Sequence, residues 1–86
     1  MPRISEFHGI IIAMYYRDHA PPHFHAIYGE FEAQIELADL ASIGGFLPPR
    51  QLRLVQEWGA IHRLELQENW ARARWGLPLS KIEPLP

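Results

Sequence analysis

The chain has 86 residues, 48% of them hydrophobic and 21% charged, with no cysteine and a formal net charge of -2. That length supports one domain with its own core, and the apolar content excludes a disordered chain. The missing cysteines exclude disulfides, thiolate metal sites and cysteine nucleophiles, and the charge balance excludes a strongly basic nucleic-acid clamp.

The longest uncharged apolar run, Gly9–Tyr16, is too short to cross a bilayer. The opening residues MPRISEF lack the apolar core of a signal peptide. A soluble cytoplasmic domain is therefore expected. Charge is uneven along the chain. Two arginines face six acidic residues in 1–43, whereas six basic residues face four acidic ones in 44–86. His8, His19, His23 and His25 all lie in the acidic half.

Taken in order, Gly9–Arg17 (GIIIAMYYR) predicts a first strand, β-branched and aromatic on both alternating sets. Asp18–Pro22 must leave the sheet, because paired prolines cannot continue a ladder. His23–Tyr28 and Phe31–Leu37 predict two further strands. They flank Gly29-Glu30, the pattern of a two-residue type II′ hairpin turn. That turn fixes a register in which Tyr28 faces Phe31, Ile27 Glu32, Ala26 Ala33, His25 Gln34, Phe24 Ile35 and His23 Glu36. One face then collects Phe24, Ala26, Tyr28, Phe31, Ala33, Ile35 and Leu37. The other collects His23, His25, Ile27, Glu32, Gln34 and Glu36, which places both histidines away from the core.

Ala41–Leu47, with Gly44-Gly45, predicts a loop, and Pro48-Pro49 a helix entry. Leu52, Val55, Gly59, His62, Leu66, Trp70 and Ala73 form a helical stripe, so one helix is expected over about 49–75, ended by Gly76 and Pro78. Straight, it would run about 40 Å, against a diameter of roughly 30 Å for a domain this size. It must bend, with Gly59 the expected place, or protrude. Residues 77–86 read as an extended strap held by Leu79, Ile82 and Leu85. The expected fold is α+β: a three-stranded antiparallel meander with one long C-terminal helix packed on its apolar face. The overlong helix and the apolar residues Ile11, Tyr15 and Ile27 on the outer face also predict a homodimer.

The segments GIIIAMYYRDHAPPHFHAIYGEFEA, LPPRQLRLVQEW, HRLELQENW and KIEPLP make the chain resemble the bacterial domain-of-unknown-function family 4160 over nearly its whole length. The family pattern often has Asn where this chain has Ala20. The family has no settled activity. Its members are commonly encoded beside a second small protein of family 2442, an arrangement resembling a toxin–antitoxin pair. The resemblance therefore implies a toxin-like component with a small protein partner.

Three readings of the histidine cluster stay open. His19, His23 and His25 follow an H-x3-H-x-H spacing. Two strand residues two apart point the same way, their Cβ atoms about 6.5–7 Å apart, so both imidazoles can reach one ion. His19 supplies a third ligand and Glu36, opposite His23, a fourth, in a site suited to zinc or nickel. The second reading is a metal-independent endoribonuclease. With Ile10, Ile12 and Met14 facing the core, Tyr15 and Arg17 join His23 and His25 on the outer face. His25 and His23 then move protons, Arg17 holds phosphate and Tyr15 orients the RNA. The third and plainest reading is a half-wet protein interface with no chemistry. His62, on the helix's inner stripe, is expected to be packed with its nitrogens bonded to backbone; the functional alternative has it meeting His19. Asn69 is expected to tie the helix to a loop, Trp58 and Trp70 to anchor the core, and Trp75 to be partly exposed. The helix charges, including Arg63 and the Glu68–Arg72 pair, read as a solvated face.

Overall fold

The computed structural model describes residues 2–86. Its elements are β1 (Arg3–Phe7), β2 (Ile10–Ala13), β3 (His23–Tyr28), β4 (Phe31–Glu36), β5 (Ser42–Gly45), α1 (Pro49–Ile61) and α2 (Arg63–Arg74). The strands form one antiparallel sheet in chain order. The α+β class holds, but the sheet has five strands rather than three, and two helices replace the single long one.

The central hairpin follows the expected register at all six positions, from His23↔Glu36 to Tyr28↔Phe31. Its turn has Gly29 at φ 59, with Glu30 at ordinary negative φ, as type II′ requires. The first strand is shorter than 9–17, because the chain leaves the sheet after Ala13 and Arg17 takes a left-handed φ of 54. β1 was hidden by its polar residues. It pairs with β2 across a tight turn whose two residues, His8 and Gly9, have φ 50 and 77, the two positive values of a type I′ hairpin. β5 was hidden by Gly44-Gly45, which reads as loop. There the backbone approaches β4 too closely for a side chain: a Cβ on Gly45 would stand 2.1 Å from the Glu32 carbonyl oxygen, and Gly45 has φ 72.

The helix breaks at His62 (φ -111, ψ 27), not at Gly59. Gly59 stays helical and buried, since a Cβ there would come within 2.8 Å of Leu40 Cδ2. Its role is close packing against the β4–β5 connection. His62 packs against Trp58 with ring centroids 5.5 Å apart and planes tilted by 45°, and its Nδ1 bonds the Glu65 carboxylate instead of the expected backbone. Each helix turns its stripe to the sheet, and Phe24, Ile12, Ile35, Val55, Trp58 and Leu66 meet in a fully buried core. Arg63 is not simply solvated, because its Nη1 donates to the carbonyls of Leu37 and Ala38 at 2.7 and 2.8 Å.

The strap behaves as expected. Ile82 is buried, Leu79 and Leu85 pack against the core, and the Ile82 N–H donates to the Ile4 carbonyl at 2.8 Å, covering the edge of β1. Asn69 ties α2 to it, exchanging two 2.9 Å bonds with the Ser80 backbone. Trp58 and Trp70 are buried, and Trp75 stands 80% exposed. No helix among the described residues is long and apolar enough to cross a membrane.

Candidate functional site

β3 presents His23 and His25 on one side of the strand, two residues apart, while Phe24 and Ala26 point into the core. The histidines lie on the polar face, as the register predicts, yet they are not on the surface: His23 is 2% exposed and His25 6%. The Trp70 ring approaches His23 at a centroid distance of 5.5 Å, and the Tyr15 ring stands edge-on to His25 at 4.3 Å. The loop after β2 then folds Asp18 back over both rings.

Asp18 is the centre of the cluster. Its Oδ2 lies 2.9 Å from His23 Nε2 and 3.2 Å from His25 Nε2. The remaining ring nitrogens are engaged elsewhere. His23 Nδ1 lies 2.7 Å from the Pro21 carbonyl oxygen, which can only accept, so this nitrogen carries the hydrogen. His25 Nδ1 donates likewise to the Glu32 carboxylate at 3.0 Å. One ligand atom each from Asp18, His23 and His25 converge within 4.8 Å of one another.

The arrangement can be satisfied in two ways. Without an ion, an Nε2 bonds the Asp18 carboxylate only by carrying a hydrogen, and the two rings that do so stand with centroids 5.2 Å apart. With one divalent cation in place of those hydrogens, the same three atoms would serve as its ligands. Ligands about 2.0–2.1 Å from a tetrahedral ion stand about 3.3 Å apart, close to the observed 2.9 and 3.2 Å. The Nδ1–H bonds to a carbonyl and a carboxylate are the outer contacts that orient metal-bound histidines.

The electrostatics follow from the same contacts. Partial burial pushes the Asp18 carboxyl up, but bonds from His25 and the His19 backbone N–H, together with the charge and bond of His23, outweigh it and leave its pKa below the usual value. Burial raises the Tyr15 phenol above its ordinary value, and the charges of Glu32 and Asp18 add to the effect.

Of the residues singled out from sequence, the structure brings His23, His25 and Tyr15 together. His19 and Glu36 lie outside the converging set. The His19 ring is 88% exposed, its Nδ1 3.3 Å from Asp18 Oδ1. Glu36 sits opposite His23 in register without contributing a ligand atom to the cluster. Arg17 contributes no contact to the His23–His25 pair and places its guanidinium over Gly76 at the end of α2. It lines a cleft of about 390 Å³ with Asp18, His19, Ala20 and Arg74.

Sequence reasoning missed Asp18 and Glu32 as members of the site. Glu32 was within reach of the register, since it lies diagonal to His25 on the same face of the hairpin. Asp18 was not, because no periodicity reports how a loop folds back.

No curated protein and no solved structure matches the chain. A family model described as Domain of unknown function (DUF4160) matches residues 9–71, which hold the histidine pair, Asp18, Glu32 and most of both helices, and the chain belongs to that family.

Proposed function

We propose that this domain is a metal-binding module whose centre is Asp18, His23 and His25. The observation that carries the reading is the disposition of the two rings. Both Nδ1 atoms are held by acceptors, so both Nε2 atoms face the same carboxylate oxygen. Zinc fits this donor set first, and nickel or iron(II) are the other divalent ions that imidazole and carboxylate suit. Three protein ligands leave coordination positions for water or a further group, as in catalytic rather than structural zinc sites. Asp18 also lines a cleft of about 390 Å³, so the centre and the cleft share that residue.

The direct test is metal content of untagged protein, expressed in zinc- and nickel-supplemented medium and measured by mass spectrometry. One ion per chain is expected in the wild type and a small fraction of that in His25→Ala. A wild type that is empty, and whose melting temperature does not respond to added zinc or nickel, sinks the reading.

The cellular setting we infer is the toxin-like member of a two-protein module with a family 2442-like neighbour, a reading supported by the family resemblance. Metal-independent RNA cleavage through His25, His23, Tyr15 and Arg17 is the second reading. Its support is that the Tyr15 ring stands edge-on to His25 at 4.3 Å and that Arg17 lines the cleft with Asp18. It is ranked lower because it asks two buried rings to reach a polymer, whereas the metal reading asks only a small ion to do so. Growth and RNA integrity on induction of the wild type and of His25→Ala, in metal-replete and chelator-treated cells, separate the two. Arrest that vanishes on chelation favours the metal. Arrest with RNA breakage that persists in chelator favours the histidines alone.

A further inference from the structure

The cleft at the end of α2 collects more positive charge than its surroundings explain. Arg17 and Arg74 both line it and both are exposed. Among the described residues neither guanidinium has an ion-pair or hydrogen-bond partner; Arg50 and Arg53 share this, but only Arg17 and Arg74 line one cleft together, whereas Arg3, Arg63 and Arg72 are all engaged. The His19 ring adds a third nitrogen-bearing group at the same opening.

Two features hold the arginines there. Arg17 adopts a left-handed φ of 54, a conformation costly for a long side chain, and its N–H is anchored to the Ala73 carbonyl at 3.2 Å. That backbone geometry carries its guanidinium over Gly76, where a Cβ would stand 3.4 Å from Arg17 Nη2. Arg74 comes from the last turn of α2. A helix carboxyl end ordinarily disfavours anions. Here two carbonyls of the last turn are already occupied, Arg72 accepting from Trp75 and Leu77, and Ala73 from Arg17 and Gly76. The one carboxylate on the cleft, Asp18, directs Oδ2 inward to His23 and His25 and Oδ1 to the His19 N–H.

We propose that Arg17 and Arg74 form a subsite for the phosphate group of a small phosphate ester. Guanidinium pairs are suited to this because each planar fork offers two parallel N–H donors to a tetrahedral oxyanion. A cleft of about 390 Å³ has the size of a small-molecule site. The proposal deepens the metal reading and rests on it in one respect: Asp18 both lines the cleft and belongs to the proposed centre, so the two sites share a residue.

Calorimetric titration with inorganic phosphate tests it, on metal-stripped and on zinc-loaded protein. The variants are Arg17→Gln, Arg74→Gln and Arg50→Gln, each confirmed folded by its melting curve. Saturable one-to-one binding to stripped wild type is expected. It should weaken about tenfold or more in Arg17→Gln and in Arg74→Gln, with less than about a twofold change in Arg50→Gln, which removes an equal charge elsewhere. The absence of phosphate binding to stripped wild type overturns the proposal. So does an equal loss in Arg50→Gln, which would mark a net-charge effect, and so does binding that appears only with zinc and ignores both cleft variants. Arginine-dependent binding in a protein that takes no zinc supports the subsite while ending the metal reading. A nucleoside monophosphate that binds more tightly than phosphate, with the matching nucleoside silent, supports an ester rather than the free anion as the natural ligand; an ester that fails to bind where phosphate does overturns that assignment.

Discussion

Replacing Asp18 by Asn isolates what one charge contributes to the site, because the amide keeps the shape and one acceptor oxygen while losing the anion. In chelator the carboxylate accepts hydrogen bonds from two nearly buried rings, at 2.9 and 3.2 Å. Bonds to charged groups contribute about 1.5–3 kcal/mol each, of which Asn retains a part, so a net loss of about 2–3 kcal/mol is expected at pH 7. With an unfolding entropy near 2.1 cal/mol/K per residue, that corresponds to about 11–17 °C in melting temperature for a chain of this length. The effect depends on pH in a definite sense. The Asp18 pKa is lowered on folding from its ordinary 3.8, because the hydrogen bonds and the neighbouring His23 outweigh the opposing cost of burial. Its contribution is therefore complete above the unfolded pKa and disappears as pH falls through the lower folded value. Urea melts of the wild type and Asp18→Asn in chelator should still differ at about pH 5, above the unfolded value of Asp18, and converge as pH falls further. A difference below about 0.5 kcal/mol at pH 7, or one that persists undiminished into acid, would refute the account of Asp18 as the charged centre of the cluster.

Three further substitutions test the scaffold. Gly45→Ala forces a Cβ against the Glu32 carbonyl at a left-handed φ; a loss of at least about 2 kcal/mol is expected by urea denaturation, and a neutral result would contradict the close approach of β5 to β4. Leu66→Ala empties a fully buried position on α2 and should cost about 2–5 kcal/mol, with the lower end meaning that the site collapses around the cavity. Arg63→Met removes the donor shared by the Leu37 and Ala38 carbonyls; about 1–2 kcal/mol is expected, since these carbonyls can recruit water, and a change within about 0.3 kcal/mol would return Arg63 to a solvated role.

What was legible in the sequence was whatever follows a strict period or a short-range turn rule. Gly29-Glu30 fixes the register of β3 against β4 because a type II′ turn has one geometry, and the alternation of side chains then follows without further information. The inner stripe of α2 and the tie from Asn69 to the strap were readable for the same reason. The missed strands have a common cause. β1 and β5 are the edges of the sheet, and β5 in particular pairs through backbone with few buried side chains, so no hydrophobic pattern announces it. Half of the site was visible because His23 and His25 belong to a patterned strand. The other half came from Asp18, placed by a loop whose path depends on tertiary contacts such as the bond from the Arg17 N–H to Ala73.

That dependence links the broken helix to the site. A continuous helix over 49–75 would run about 40 Å, longer than the molecule's greatest extent of 33 Å. The second half would then project past the sheet. The break at His62 divides it into segments of 13 and 12 residues, and the second returns across the sheet. The return brings Trp70 to within 5.5 Å of the His23 ring, the Ala73 carbonyl to the Arg17 N–H, and Arg74 to the cleft. His62 is held in this bend by the Trp58 ring and the Glu65 carboxylate, so its role is to aim α2. The histidine pair alone would be an ordinary polar patch on a strand. It becomes a desolvated pair of donors because Trp70, on the second helix, and Tyr15 and Asp18, on the loop, close over it.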